Sequence, residues 1–388
     1  MQGIDNSSTG LLHDPRTAAI PPSAKIALPA TASVKTLAML ASLAMLVGAD
    51  PASAGPLDEG RIGYVLTERH WAIYQTEGAK AECPQGFNIG PREQFDALYP
   101  EQEGAVRTEV DTRLQYEGRR FHRDMSEEPF PFHDAQGTVA YGVNLDGEVG
   151  AEDFLGVDGE EGVDNQLHRA LGCIPIYRGP DGAFYHFSNL FMYGNAYNRW
   201  LIEISGLENL QNDPQVTVTF ARGLDDLVTD ASGTGFVAGG TQRVDERWGQ
   251  SFIQQVEGRI IDGVLVTDPA ERTKFPWSFP GIGGGFHIFR DFQLRLELTP
   301  KTAEGVLAGY VDVEQYNHRL NRNWTTHHQS YGNLSAPSLY RAMRRLADGH
   351  PDPETGDNTA ISSAVNIKMH QVYIVWPSET VVASSPSP

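Results

Sequence analysis

Residues 292–298 read Phe292-Gln293-Leu294-Arg295-Leu296-Glu297-Leu298, four apolar side chains alternating with three polar ones. Period two leaves one face dry and one wet, which is the pattern of a half-buried strand. Val216, Val218 and Phe220 alternate with threonines in the same way, and Trp200, Ile202 and Ile204 alternate against Glu203 and Ser205. Between Arg259-Ile260-Ile261 and Val264-Leu265-Val266 stands Asp262-Gly263, a pair that tolerates the positive φ of a two-residue hairpin turn. Residues 305–313 supply another strand. Alternation joined by tight hairpins predicts antiparallel sheets. The expected fold is therefore mainly β, an antiparallel β-sandwich or jelly roll with a few short helices.

Outward from this region the signals thin. Toward the C-terminus, Ser335 can cap a helix, Pro337 suits its first turn, and Leu339, Met343 and Leu346 repeat at helical spacing until Gly349. Residues 373–376 read as a last strand, and the Ser/Pro-rich stretch 378–388 as a disordered tail. Residues 136–377 form the expected β-rich domain. Residues 55–135 are mixed, with strand-like Tyr64-Val65-Leu66 and Trp71-Ala72-Ile73-Tyr74 before a charged stretch.

Residues 34–54 carry Lys35, then an apolar run at 37–47, then Ala52-Ser53-Ala54. This is the layout of a secretory signal peptide, with cleavage expected before Gly55. The run is shorter than the roughly 20 residues that span a bilayer. Residues 1–33 do not fit a charged n-region, so translation is expected to begin at Val34, with 1–33 a leader outside the translated protein. The expected location is periplasmic or secreted.

The net charge of -20 disfavours nucleic acid and anionic lipid as partners. It suits cations, neutral ligands or basic proteins, and it also serves solubility alone. No later stretch is apolar enough for a membrane span. The two cysteines, Cys83 and Cys173, are an even pair in an oxidising compartment. They form either a disulfide or two buried thiols.

Residues 124–168 contain twelve acidic side chains and no Lys or Arg. Calcium takes carboxylate and carbonyl oxygens from loops whose glycines permit sharp turns. Asn144, Asp146, Gly147 and Asp153 match positions of a twelve-residue calcium loop, although Gly142 stands where the first carboxylate belongs. The candidate metal ligands are Asn144, Asp146, Glu148, Asp153, Asp158, Glu160 and Asp164, with calcium the expected ion. A solvated acidic loop would explain the same composition. Asp164 and His168 share a face on a short helix and form the weak catalytic candidate. A second acidic loop runs from Asp348 to Asp357. His327-His328, with His318, lacks a transition-metal spacing, and the clusters at 233–235 and 281–285 read as hairpin tips rather than nucleotide loops. No G-x-S-x-G elbow occurs.

Asn144-Leu145-Asp146-Gly147, Asp158-Gly159-Glu160-Glu161-Gly162-Val163-Asp164-Asn165-Gln166, and Leu346-Ala347-Asp348-Gly349 followed by Pro353-Glu354-Thr355-Gly356 carry a resemblance. On these phrases the mature chain is similar to a loose set of secreted bacterial proteins of unassigned function. That resemblance implies no activity. The expected function is that of an exported, calcium-stabilised protein binding a neutral or cationic ligand, polymer or protein. The alternatives are an exported metal-dependent hydrolase or lyase using the 144–168 segment, and an accessory protein of an extracytoplasmic redox system.

Overall fold

A computed structural model describes residues 60–88, 113–116, 119–122, 132–179, scattered positions in 182–193, 199–233, 235–277, 286–323 and 336–377. The expected leader, signal peptide and tail lie outside the described residues, as do Ser335, His327-His328 and the glycines at 281–285.

Eight strands form the body: β1 (Arg61–Trp71), β2 (Trp200–Ser205), β3 (Asp213–Arg222), β4 (Gln254–Ile261), β5 (Val264–Thr267), β6 (Phe286–Leu298), β7 (Thr302–Asp312) and β8 (Asn358–Val375). Each pairs antiparallel with the next, and a further strand at Ala270–Pro276 extends β5 along β6. β8 then returns to β1, in register from Gly63↔Val372 to Trp71↔Val365. The sheet is thus a closed up-and-down barrel, and the expected sandwich or jelly roll is overturned. Alternation and hairpins are common to all three architectures. What separates them is whether the last strand meets the first, and here it does.

The hairpin at Asp262-Gly263 forms as expected, with φ of 51° and 84°. The alternating residues also face as read. Trp200, Ile202, Ile204, Val216, Val218, Phe220, Phe292, Leu294, Leu296 and Leu298 are all buried in one core cluster. Outward positions carry Glu257, Arg259, Glu297 and Glu304, whereas a lipid-facing barrel has its apolar side chains outside. Among the described residues, no helix is long and apolar enough to cross a membrane.

A register shift between Leu66 and Glu68 changes the phase of β1. Ile62, Tyr64 and Leu66 join the core before it, and Arg69 and Trp71 are buried after it. The Arg69 guanidinium lies 4.0 Å from the centroid of the Trp277 ring and 5.2 Å from that of Trp200, so aromatic faces receive its charge inside the barrel.

Among the described residues, three α-helices add to the same core: α1 (Gln166–Leu171), α2 (Val313–Asn323) and α3 (Ala336–Arg345). They contribute Leu167, Leu171, Val313, Tyr316, Leu339 and Met343. Gly349 does not end a helix but opens a short strand, Gly349–Pro351, paired with β8. Cys83 and Cys173 form a disulfide, tying the segment after β1 to the end of α1.

Candidate functional site

Residues 139–165 lie against the outer wall of β7 and β8. That wall presents small side chains, Ala308, Ala360 and Ala364, and Val143 and Leu145 pack into the space they leave. The segment is laced internally: Val139–Ala140 pairs with Leu155–Gly156, and bridges join Val143 to Asp164 and Phe154 to Val163. Gly162 is required on two counts. Its φ is 77°, and a Cβ there would collide with the Glu148 carbonyl and the Asn144 side chain.

Asn144 is consumed by local bonds. Its Oδ1 accepts from Gly147 N–H at 2.7 Å, and its Nδ2 donates to the Glu148 carbonyl at 2.7 Å. Asp146 Oδ1 accepts from Glu148 N–H at 2.8 Å, and Asp153 accepts from Gly150 N–H. The Glu148 side chain lies on the exposed part of this turn. Asp158 and Glu160 go elsewhere: both bind Arg295 of β6, at 3.0 and 2.6 Å, and pin their turn to the barrel. The seven expected ligands therefore fall into two groups, and Arg295 already offsets part of the charge of one of them.

The other group gains a member that the sequence assigned to a separate loop. Asp164 is buried, and its Oδ2 accepts from Leu145 N–H at 2.7 Å. Asp348 is partly buried; its Oδ1 accepts from Ser362 N–H at 2.7 Å and its Oδ2 from the Ser362 hydroxyl at 2.5 Å. The same Ser362 Oγ accepts from Gln166 N–H at 2.8 Å. One β8 side chain thus links the D-N-Q and L-A-D-G phrases. Burial pushes the Asp164 carboxyl up to about 7, with the charges of Asp146, Asp153 and Asp348 adding to it against the Leu145 bond. Burial likewise pushes Asp348 up to about 6, with Asp153 adding. The Tyr310 phenol is raised by burial and by the charges of Asp164, Asp348, Asp146 and Asp291. Among the described residues, no ion pair reaches Asp146, Asp153, Asp164 or Asp348.

Asp146, Asp164 and Asp348, with Asp291 of β6, therefore bear electrostatically on Tyr310, while Asp153 bears on Asp164 and Asp348. Their oxygens are the hard donors that calcium takes. Among the described residues, no three carboxylate, histidine or cysteine side chains already stand together at ligand distance. The twelve-residue loop match is also incomplete in its frame, because no helix leads into residues 142–153.

Asp164 and His168 are not brought together as an acid–base couple. Asn165 caps α1 through His168 N–H at 3.2 Å, and the His168 ring turns under Phe154, with ring centroids 5.6 Å apart. Burial, with the charges of Arg169 and Arg178, pushes the imidazole down to about 3. Neither ring nitrogen has a hydrogen-bond partner among the described residues. His318 is exposed on α2, away from any described cluster of metal-ligating side chains. Comparison of the chain with protein-family models, curated proteins and solved structures gave no match.

Proposed function

We propose that this is an exported β-barrel binding protein in which a calcium ion is held against the outer barrel wall by Asp146, Asp153, Asp164 and Asp348. The observation that carries the reading is the load of like charge on two buried carboxyls: Asp146, Asp153 and Asp348 all raise Asp164, and Asp153 raises Asp348. Two of the four carboxylates are out of full contact with water, and no cation offsets them among the described residues. An uncompensated cluster of this kind costs stability, and a divalent ion with oxygen preference would relieve it. When bound, calcium supplies positive charge at the buried pair. The chain's own part is to hold Asp348 through Ser362 and Asp164 through Leu145 N–H, and to carry Asp146 and Asp153 on the adjoining turns. Export is supported by the secretory pattern of residues 34–54 together with the Cys83–Cys173 disulfide.

Elemental analysis of protein purified without chelator is the direct test, paired with melting curves in calcium and in chelator. A ligand that binds only the native state, at a hundredfold excess over Kd, adds roughly 2.7 kcal/mol. Calcium is expected to raise Tm by several degrees and Asp348→Asn to abolish the rise. Asp352→Ala, on the neighbouring turn, is expected to leave it intact. Identical curves in calcium and chelator, with no metal in the purified protein, would overturn the proposal.

A further inference from the structure

Among the described residues nine large apolar side chains lie exposed, and three of them fall between positions 149 and 157. Val149 is the most open of the nine at 66%, and Leu155 and Val157 stand at 45% and 53%. Single exposed apolar side chains are ordinary, but three on one short acidic stretch call for a reason.

The stretch is built to hold them out. Leu155–Gly156 pairs with Val139–Ala140, and Phe154 bridges to Val163. Phe154 and Gly156 are buried whereas Leu155 and Val157 are exposed, so alternation sets one face inward and leaves the other uncovered. The inward face is full. Phe154 packs with Ala140 and Val163, and a Cβ on Gly156 would meet Asp158 and Val163. Arg295 fixes the turn that follows through Asp158 and Glu160. Val149 follows Glu148, whose carbonyl accepts from Asn144 Nδ2 at 2.7 Å and lies beside Gly162.

The charge along this stretch has one sign. Glu148, Glu152, Asp158 and Glu161 are exposed and Asp153 and Glu160 partly so, and no Lys or Arg occurs between 124 and 168. Arg295 offsets part of the charge of Asp158 and Glu160, and Arg169 feels that of Glu152. Glu148 and Glu161 have no ion pair among the described residues.

We infer that this face docks a cationic amphipathic segment of a partner protein. Its apolar side chains would lie on Leu155, Val157 and Val149, and its Lys or Arg side chains on Glu148 and Glu161. An apolar centre with a charged rim is the anatomy of a protein interface, and complementary charge steers the encounter. A second copy of this chain would bring the same carboxylates face to face, and an anionic lipid surface would be repelled in the same way. The inference names a partner for the protein proposed above and rests on its role as an exported binding protein, not on the calcium ion.

Calorimetric titration of the intact protein with short synthetic peptides, in calcium and in chelator, tests the inference. A peptide of alternating lysine and leucine is expected to bind one to one in both, and tighter than one of lysine and serine or one of glutamate and leucine. Its binding should weaken as ionic strength rises. Leu155→Ser/Val157→Ser is expected to weaken it about tenfold or more through lost apolar contact. Both side chains face solvent, so that variant should melt with the parent protein. Glu148→Gln/Glu161→Gln removes charge and no packing, and is expected to weaken binding severalfold and flatten its salt dependence. No binding of the lysine–leucine peptide, equal binding of either control peptide, or full affinity in either variant would each overturn the inference. Peptide binding with a Tm that ignores calcium would remove the calcium site alone, and a calcium response without peptide binding would remove this docking face alone.

Discussion

Ser362 holds Asp348 with two hydrogen bonds, one from its backbone N–H at 2.7 Å and one from its hydroxyl at 2.5 Å. Its oxygen simultaneously accepts from Gln166 N–H, the first turn of α1. A single hydroxyl on β8 therefore satisfies an acid 14 positions away and a helix terminus 196 positions away. Ser362→Ala would strip both at once, leaving a buried N–H without an acceptor. Stability is expected to fall by about 1–3 kcal/mol. Chemical denaturation with unchanged m-value checks this; a loss below about 0.5 kcal/mol, the ordinary scatter of surface substitutions, would show that the relay contributes nothing.

The carboxylates and histidines give opposing pH dependences. Asp164 and Asp348, raised to about 7 and about 6, hold protons in the native state that the unfolded chain releases near pH 4. Their contribution is complete below the unfolded value and is lost as pH rises through the native one. His168, pushed down to about 3, does the reverse: the unfolded imidazole takes up a proton below about 6.5 that the native one refuses, so stability is lost as pH falls. His70 and His370, also lowered by burial, act in the same direction as His168. In chelator between pH 7 and 5, the Asp164→Asn/Asp348→Asn variant should therefore lose stability with acid more steeply than the parent. Each proton fully engaged contributes about 1.4 kcal/mol per pH unit to that difference. Parallel pH profiles for the two proteins would contradict the raised carboxyls.

The disulfide closes a loop with a sequence separation of 90 and lies in a small buried cluster with Ala135. Chain-entropy treatment puts its contribution at about 4–5 kcal/mol. Cys83→Ala/Cys173→Ala is expected to lose most of that in reversible unfolding. Thiol titration of the denatured, unreduced parent should find no free thiol, and two thiols per chain would refute the bond.

Barrel closure rests on the β1–β8 seam, where Gly63 faces Val372 with no room for a side chain. A Cβ at that position would lie 2.7 Å from the Val372 carbonyl oxygen and from the Ile374 side chain. Gly63→Val is expected to force the seam apart and to cost about 1–3 kcal/mol, the range for overpacking a filled site. Hydrogen exchange should show the loss concentrated in β1 and β8. Uniform protection in the variant would mean that the seam had absorbed the side chain.

Much of the architecture was legible because it follows from backbone geometry alone. The alternation at Phe292 to Leu298 dictates a one-sided strand, and Asp262-Gly263 dictates a hairpin, wherever those elements end up. The cysteine pair narrowed to two readings, and the dense acids of residues 144–164 marked a segment under electrostatic load. Tertiary structure decided the remainder, because each remaining question was a matter of distance between residues far apart in sequence. Whether β8 reaches β1 depends on twist summed around the whole ring, so local periodicity could not distinguish a barrel from a sandwich. The fate of the acids depended on what faces them through space. Arg295 takes Asp158 and Glu160, Ser362 brings Asp348 beside Asp164, and His168 turns under Phe154 despite its spacing from Asp164. Net charge, too, is a sum that carries no position. Only folding sets Arg341, Arg344 and Arg345 around one cavity on an otherwise acidic chain.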